Sequence, residues 1–301
     1  MQRHKSLILP VAILLGLFFH ETISVLQPLL PYLIFIMLFF SFNALNVKEM
    51  RFSMFNFWLL LFQLGLSTAL FFLLRPFNED LAQGAYVIVL APTAAAALAV
   101  SLILGANISM MSTYLISCNL MVAVVAPLAF TLMSVSGGVG FWTLFLAILS
   151  KVFPLLIAPF FLAVLTRAFW KKANDAINRH KNISFYVWAL SLTIVISRAI
   201  GLVIDQYQGN KTLFIWMAVI SILLCALQFM VGHIIGRRYG DRIAGGQALG
   251  QKNTVLAIWM SQTYLNPLSC VIPTLYVIWQ NLYNSFQMMQ KEQKEAKQRG
   301  S

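Results

Sequence analysis

The stretch Gln247-Ala-Leu-Gly-Gln-Lys-Asn-Thr254 lies inside a segment, residues 243–265, that is otherwise apolar enough for a membrane. Burying its amides and its lysine in hydrocarbon costs several kcal/mol unless each polar group finds a partner. Irregular backbone at membrane depth therefore lines a cavity or contacts other protein rather than lipid. Gly250 adds a point at which a helix breaks easily, so this stretch predicts an interrupted helix.

The composition of the whole chain is that of a polytopic membrane protein. Hydrophobic residues make up 60% of the 301 residues and charged residues 10%, and the mean hydropathy is +0.80. Soluble domains carry about a quarter charged residues. The length allows about ten helical spans of about twenty residues with short connections, which leaves no room for a soluble domain.

The apolar segments divide the chain into ten predicted α-helical spans. They cover residues 6–23, 25–45, 55–74, 82–104, 109–133, 140–166, 183–204, 213–235, 243–265 and 267–289. Ten spans divide into five and five, and a half with an odd number of spans is followed by a copy of opposite orientation. We expect one transmembrane unit with inverted repeats at 1–135 and 136–289 and a cytoplasmic tail at 290–301. Inverted repeats are the usual architecture of secondary transporters.

The basic residues alternate between the predicted connections. Both termini and every second connection hold sixteen of the 21 lysines and arginines, whereas the opposite connections hold only Arg75 and Lys211. Because basic loops remain in the cytoplasm, both termini are expected there, in a bacterial-type inner membrane. This alternation also explains the net charge of +12 without nucleic acid. Membrane lipid is then the expected surrounding partner.

Charge inside the predicted spans has one sign. Lys151, Arg198 and Lys252 fall within spans, whereas all nine aspartates and glutamates lie in loops or at span ends. An ionisable residue at membrane depth is by default a functional-site hypothesis. A positive interior suits an anionic ligand and offers no carboxylate to bind sodium or to carry protons. The sequence therefore predicts a small organic anion as the substrate.

A second irregular segment occupies the equivalent place in the first half. Ala91-Pro92-Thr93 falls about ten residues into the fourth span, and Gly250-Gln251-Lys252 about eight into the ninth. Proline lacks a backbone donor and disfavours helix at the residue before it. If both helices break and cross, the N-termini of their second halves attract anions. The candidate substrate-binding residues are Asn253, Thr93, Lys252, Thr254 and Gln251.

Several segments resemble the bile acid:sodium symporter family. Gly250-x-x-Asn253-Thr254 and Ile272-Pro-Thr-Leu-Tyr-Val-Ile-Trp-Gln-Asn-Leu282 are similar to its last two helices, Met37-Leu-Phe-Phe-Ser-Phe-Asn-Ala-Leu45 to its second, and Lys151-Val-Phe-Pro154 to its sixth. The similarity covers most of the chain. It implies broken, crossing fourth and ninth helices, a core domain that moves against a panel domain, and transport of organic anions by alternating access.

The sodium-binding motifs of that family are changed here. Its ninth helix typically reads Glu-x-Gly-x-Gln-Asn, and this chain has Ala248 for the Glu and Lys252 for the Gln. Its Gly-Gly-Thr-x-Ser-Asn after the proline is replaced by Thr93-Ala-Ala-Ala-Ala-Leu98, although Gln63 is loosely similar to a third-helix ligand. A lysine in such a cage repels sodium. We therefore expect no cofactor, no classical sodium coupling, and the Lys252 ammonium about where relatives hold sodium.

Five residues are expected to serve coupling or structure: Lys252, Gln63, Gln247, Lys151 and Asn107. Lys252 can act on the ligand, exchange a proton during the cycle, or only donate to carbonyls that the helix break exposes. Lys151 can face a cleft between domains or extend to the membrane interface. Asn107 can line a vestibule or begin a helix.

Other classes of function compete with an anion carrier. The sequence predicts no enzyme, because the spans hold no aspartate pair, no Ser/His pair and no metal-ligand set. A small-anion sensor on a transporter fold and an arsenite- or auxin-type anion exporter stay open as alternatives. The substrate, the transport direction, the coupling ion and the oligomeric state are not set by the sequence.

Overall fold

The computed structural model describes residues 8–45, 50–134, 140–180, 183–206 and 210–299. Within them the protein is all-helical and contains no strand. The helices are α1 (Ile8–Ser24), α2 (Leu30–Asn43), α3 (Met54–Leu74), α4 (Glu79–Leu90), α5 (Ala96–Leu104), α6 (Ile108–Ser134), α7 (Phe141–Phe169), α8 (Lys171–Arg179), α9 (Ile183–Gln206), α10 (Lys211–Arg238), α11 (Arg242–Gly250), α12 (Thr254–Tyr264) and α13 (Val271–Arg299). The 3-10 turns Gln27–Leu29 and Pro267–Cys270 precede α2 and α13.

The long apolar helices indicate an integral membrane protein. Among the described residues, five helices are long and apolar enough to cross a membrane, namely α3, α6, α7, α9 and α10. A sixth is obtained when Phe18–Ser24 and Gln27–Asn43, which meet at 57°, are taken as one bent span. Large apolar side chains such as Trp216 and Leu223 on α10 are exposed by 53% and 61%, as expected for a surface that faces lipid. The helical membrane class predicted above is therefore confirmed.

Other predicted spans are short or divided. Helices α1 and α2 have 17 and 14 residues, each below the roughly twenty that one span needs. The predicted span 82–104 is divided into α4 and α5, and 243–265 into α11 and α12. Both predicted interruptions are therefore present.

Two polar segments are helical beyond the predicted spans. Helix α8 has nine residues and is exposed along most of its length, so it carries no apolar stripe that would mark it as a span. Helix α13 continues past residue 289 to Arg299, because its Gln, Lys, Glu and Ala residues are good helix formers. Its Lys291 donates from Nζ to the carbonyl oxygen of Ile103 at 2.6 Å, near the C-terminal end of α5.

Helices α10 and α11 pack with their backbones in contact. A Cβ atom added to Gly245 of α11 would collide with the Gly232 carbonyl oxygen and lie 2.7 Å from Cα of Gly236. Gly232 and Gly236 are one turn apart on α10, which is the spacing that lets two membrane helices approach closely. This contact fixes α11, and with it the break after Gly250, against α10.

Candidate functional site

The two interruptions lie side by side as an antiparallel pair of residues, Thr93 and Lys252. Two backbone hydrogen bonds flank this pair. The Asn253 N–H donates to the Pro92 carbonyl at 2.8 Å, and the Ala94 N–H donates to the Gln251 carbonyl at 2.9 Å. Each broken helix thus supplies partners for backbone groups that the other releases, which lets irregular backbone exist within the protein interior.

The ammonium of Lys252 lies at the C-terminal end of α4. The side chain is 0% exposed, and Nζ donates to the carbonyl oxygens of Val89 at 2.9 Å and Ala91 at 3.0 Å. The last carbonyls of a helix have no intrahelical donor, and they form the negative end of its dipole. The charge of Lys252 therefore stabilises this end of α4. Within the described chain its hydrogen-bond acceptors are these carbonyls and not a carboxylate.

The side-chain amide of Gln63 on α3 also donates to carbonyls at the C-terminal end of α4. Its Nε2 donates to Leu90 O at 2.6 Å and to Ala91 O at 3.1 Å, so the second carbonyl is shared with Lys252. Its Oε1 accepts from the Tyr114 hydroxyl at 2.5 Å and from the Cys118 thiol at 3.3 Å. Both sides of the amide are used in protein contacts, which Gln63 would have to give up to bind sodium.

At the C-terminal end of α11, neutral groups instead donate to the helix carbonyls. The Thr93 hydroxyl donates to Ala248 O at 2.6 Å, and the Tyr276 hydroxyl donates to Gly250 O at 2.7 Å. The crossing is therefore asymmetric, because a charged amine closes one helix end and hydroxyl groups close the other.

The second helical halves, α5 and α12, begin at the crossing. Asn253 caps α12, since its Oδ1 accepts from the Leu256 N–H at 3.2 Å. Its Nδ2 is buried and has no partner among the described residues, and the same holds for Oε1 of Gln251. Helix α5 has no side-chain cap at Ala95, and the next residue, Ala96, is exposed. The buried donor and the open helix N-terminus are groups that an anion can satisfy, whereas the buried acceptor needs a hydroxyl or another donor on the ligand.

The structure gathers most of the predicted site residues at this crossing. Those at or beside it are Gln63, Thr93, Gln251, Lys252, Asn253 and Thr254. All six are buried, with at most 5% of each side chain exposed. The crossing is thus a polar cluster enclosed by the protein, as an interrupted pair of membrane helices requires.

Three predicted residues lie elsewhere. Gln247 is buried one turn before the break, and its Nε2 donates to Asn284 at 2.9 Å and Gln287 at 2.8 Å on α13. Lys151 is exposed on α7 and is not part of the buried cluster. Asn107 is exposed and begins α6, because its Oδ1 accepts from the N–H of Met110 at 3.1 Å. It therefore has the helix-start role rather than a place in the cluster.

The polar face of α13 was missed as part of the site. Gln280 accepts the Lys252 N–H at 2.9 Å and donates back to the Lys252 carbonyl at 3.3 Å. Tyr276 in turn accepts from Gln228 of α10 at 3.1 Å. Positions 276, 280, 284 and 287 recur every three or four residues and are all polar, which places them on one helix face. That periodicity in the sequence is the signal that could have identified this polar face.

Removing the Thr93 hydroxyl tests the contact between the two broken helices. Thr93→Val keeps the shape but leaves Ala248 O without that donor, at an expected cost of about 1–3 kcal/mol. The matched control is Thr166→Val, because the Thr166 hydroxyl bonds only to a carbonyl of its own helix, Leu162 O, at 2.7 Å. The melting temperature in detergent should fall clearly more for Thr93→Val. Equal shifts would contradict a stabilising role for this contact.

An open apolar groove with a volume of about 220 Å³ lies apart from the crossing. It runs between α10 and α13 and is lined by residues such as Phe229, Trp279 and Phe286. It contains none of the predicted site residues. Within the part of the chain that the structure describes, no group of three or more His, Cys, Asp or Glu residues is arranged to hold a metal ion.

Comparison with known proteins adds no assignment. No protein-family model matches the chain, and no curated protein sequence is significantly similar to it. The crossing of the broken helices is therefore the feature from which a function is inferred.

Proposed function

We propose that the protein is a secondary carrier of a small organic anion that works by alternating access without classical sodium coupling. The observation that carries this proposal is the buried crossing of two interrupted helices with the Lys252 ammonium inside it. Substrate sites of secondary transporters lie where discontinuous helices meet. The resemblance to the bile acid:sodium symporter family supports the same function.

The order of the helices supports a proposed arrangement of ten spans in two inverted repeats. The first repeat would be α1, α2, α3, the pair α4–α5, and α6. The second would be α7, α9, α10, the pair α11–α12, and α13. The broken pair is the fourth member of each set, which is expected if the two halves are copies. The alternation of basic residues supports cytoplasmic placement of both termini in an inner membrane.

The crossing offers a carboxylate three kinds of stabilisation. The open N-terminus of α5 provides backbone donors, and Nδ2 of Asn253 provides a buried side-chain donor. The charge of Lys252 adds attraction, of about 2 kcal/mol for a separation of about 8 Å at an effective dielectric of about 20. Thr93 and Thr254 border these groups. Gln251 offers an acceptor to a hydroxyl or protonated group of the same ligand.

The position of the amine supports a cycle without classical sodium coupling. It already binds the carbonyl oxygens of Val89 and Ala91, which a sodium ion at this helix end would require. A second cation there would meet repulsion of several kcal/mol. In this proposal the protonated amine of Lys252, which is attached to the chain, supplies the positive charge that a dissociable ion supplies in sodium-coupled carriers.

A thermal-shift screen tests the proposal. Acetate, lactate, pyruvate, succinate, 2-oxoglutarate and cholate are added to the purified protein over a range of pH, with sodium or with choline as the cation. We expect at least one acid to raise the melting temperature equally in both salts. A requirement for sodium, or no stabilisation by any acid, would contradict the proposal. Uptake of the labelled acids into proteoliposomes then separates a carrier from a sensor.

Asn253→Asp is the sharpest variant for this screen. Aspartate keeps the Oδ1 atom that caps α12 but replaces the Nδ2 donor with a negative oxygen. We expect a folded protein whose affinity for the stabilising acid falls more than about tenfold, since one hydrogen bond to a charged group contributes about 1.5–3 kcal/mol. An unchanged affinity would remove Asn253 from the site.

A further inference from the structure

The group that carries the positive charge at the crossing is attached to the chain. Lys252 is fully buried, and its Nζ donates to the carbonyls of Val89 and Ala91 at the C-terminal end of α4. A sodium-coupled carrier loses its cation on the far side and returns without it. A carrier with a covalently attached cation returns with the charge in place.

Among the described residues, no negative side chain contacts Lys252 to neutralise its charge. The side chains that contact it or its carbonyl partners are the amides of Gln63 on α3 and Gln280 on α13. Behind them are the hydroxyl of Tyr114 and the thiol of Cys118 on α6, and the hydroxyl of Tyr276 on α13. Within the described chain, only the dipole of α4 compensates the positive charge of Lys252. Further compensation would have to come from a bound anion.

We propose that this arrangement makes the protein a preferential anion exchanger whose net transport is electrogenic and is driven outward by an inside-negative membrane potential. The inference rests on the proposed function. With an anion bound, the moving unit is electrically neutral at the crossing. When empty, it holds a buried ammonium that has no counter-anion. Moving such a charge through a low-dielectric region is unfavourable. The loaded carrier therefore reorients quickly and the empty carrier slowly.

The direction of net transport follows from the charge that moves in one cycle. The lysine travels out with the anion and back without it, so each cycle transfers the charge of the anion alone. For a monovalent anion, about 60 mV of inside-negative potential corresponds to a tenfold higher concentration outside at equilibrium. No coupled cation opposes this distribution.

Proteoliposomes loaded with radiolabelled acetate, lactate or pyruvate test the inference. Release is measured into buffer that contains the same unlabelled acid, which reports exchange, and into buffer without it, which reports net transport. Potassium gradients with valinomycin set the membrane potential. We expect exchange to be at least about tenfold faster than net release. We also expect net release to accelerate several-fold with an inside-negative potential, whereas exchange is unaffected.

Lys252→Gln is the variant that changes the proposed charge. Glutamine keeps a donor for the α4 carbonyls but removes the charge of the empty carrier. We expect weaker binding of the acids together with a ratio of exchange to net release that falls toward one. If this variant does not fold, the potential dependence of the wild-type protein decides the question by itself.

The possible failures are distinguishable. Accumulation of labelled acid driven by a sodium gradient or a pH gradient would overturn the inference and leave an anion carrier. If exchange and net release had equal rates and neither rate depended on the membrane potential, the inference would also be overturned and an anion carrier would remain. Absence of exchange for every labelled acid, including any that stabilises the protein, would overturn the proposed function and the inference together.

Discussion

Lys252→Met is expected to lower the melting temperature of the purified protein by about 5 °C, which corresponds to a loss of about 3 kcal/mol. Methionine has a similar length and keeps the buried volume filled, so the loss comes from hydrogen bonding and charge. Val89 O loses its ammonium donor, whereas Ala91 O keeps the Gln63 amide at 3.1 Å. The end of α4 also loses the charge that opposes its dipole. Differential scanning fluorimetry in detergent measures the shift.

The matched control for this variant is Lys151→Met. It makes the same chemical change on α7, at a lysine that is exposed. Surface substitutions are usually within about 0.5 kcal/mol of neutral, so the melting temperature should change little. If both variants shift it equally, then the contacts of Lys252 do not stabilise the crossing.

Gly245→Ala is expected to have an even larger effect and to reduce the yield of folded protein severely. Its added methyl group would meet backbone atoms of Gly232 and Gly236, and a backbone cannot rotate away as a side chain can. Overpacking costs typically 1–3 kcal/mol and more when helices must separate. The expected result is loss of the monodisperse peak in size-exclusion chromatography after extraction.

Gly65→Ala is the control for the glycine contact. Gly65 is exposed on α3, and a Cβ atom there meets nothing within 4 Å. Alanine in a helix interior is favoured over glycine by about 0.5–1 kcal/mol, so this variant should fold at least as well as the parent. A normal yield of Gly245→Ala would show that α10 and α11 can separate without loss of the fold.

The positions of the helix breaks were predictable because their causes are local. Pro92 lacks an N–H, and Gln251-Lys252-Asn253 places three polar side chains at membrane depth. The burial of Lys252 followed from the same argument. Donation from its amine to carbonyls exposed at a helix break was one of the alternatives that the sequence left open, but the sequence did not show that these carbonyls belong to Val89 and Ala91 at the end of α4.

The contacts that depend on packing were not predictable from one sequence. Gln63 lies 27 residues before Leu90, and nothing in the spacing shows that its amide reaches that carbonyl. The hydrogen bond from Gln247 to Asn284 likewise depends on how α11 packs against α13. The short helix α8 was missed because apolar periodicity finds buried faces, and this helix buries none of its residues.

The length of α13 links distant parts of the protein. This helix contacts the crossing through Gln280, reaches α11 through Asn284, and touches the carbonyl of Ile103 through Lys291. At 1.5 Å per residue, the positions 280 and 291 are about 16 Å apart along one rigid rod. Both broken helix pairs are therefore hydrogen-bonded to the same helix, which acts as a strut between them. A tilt of either pair would be transmitted to the other without a separate hinge, unless the strut first released one of its hydrogen bonds.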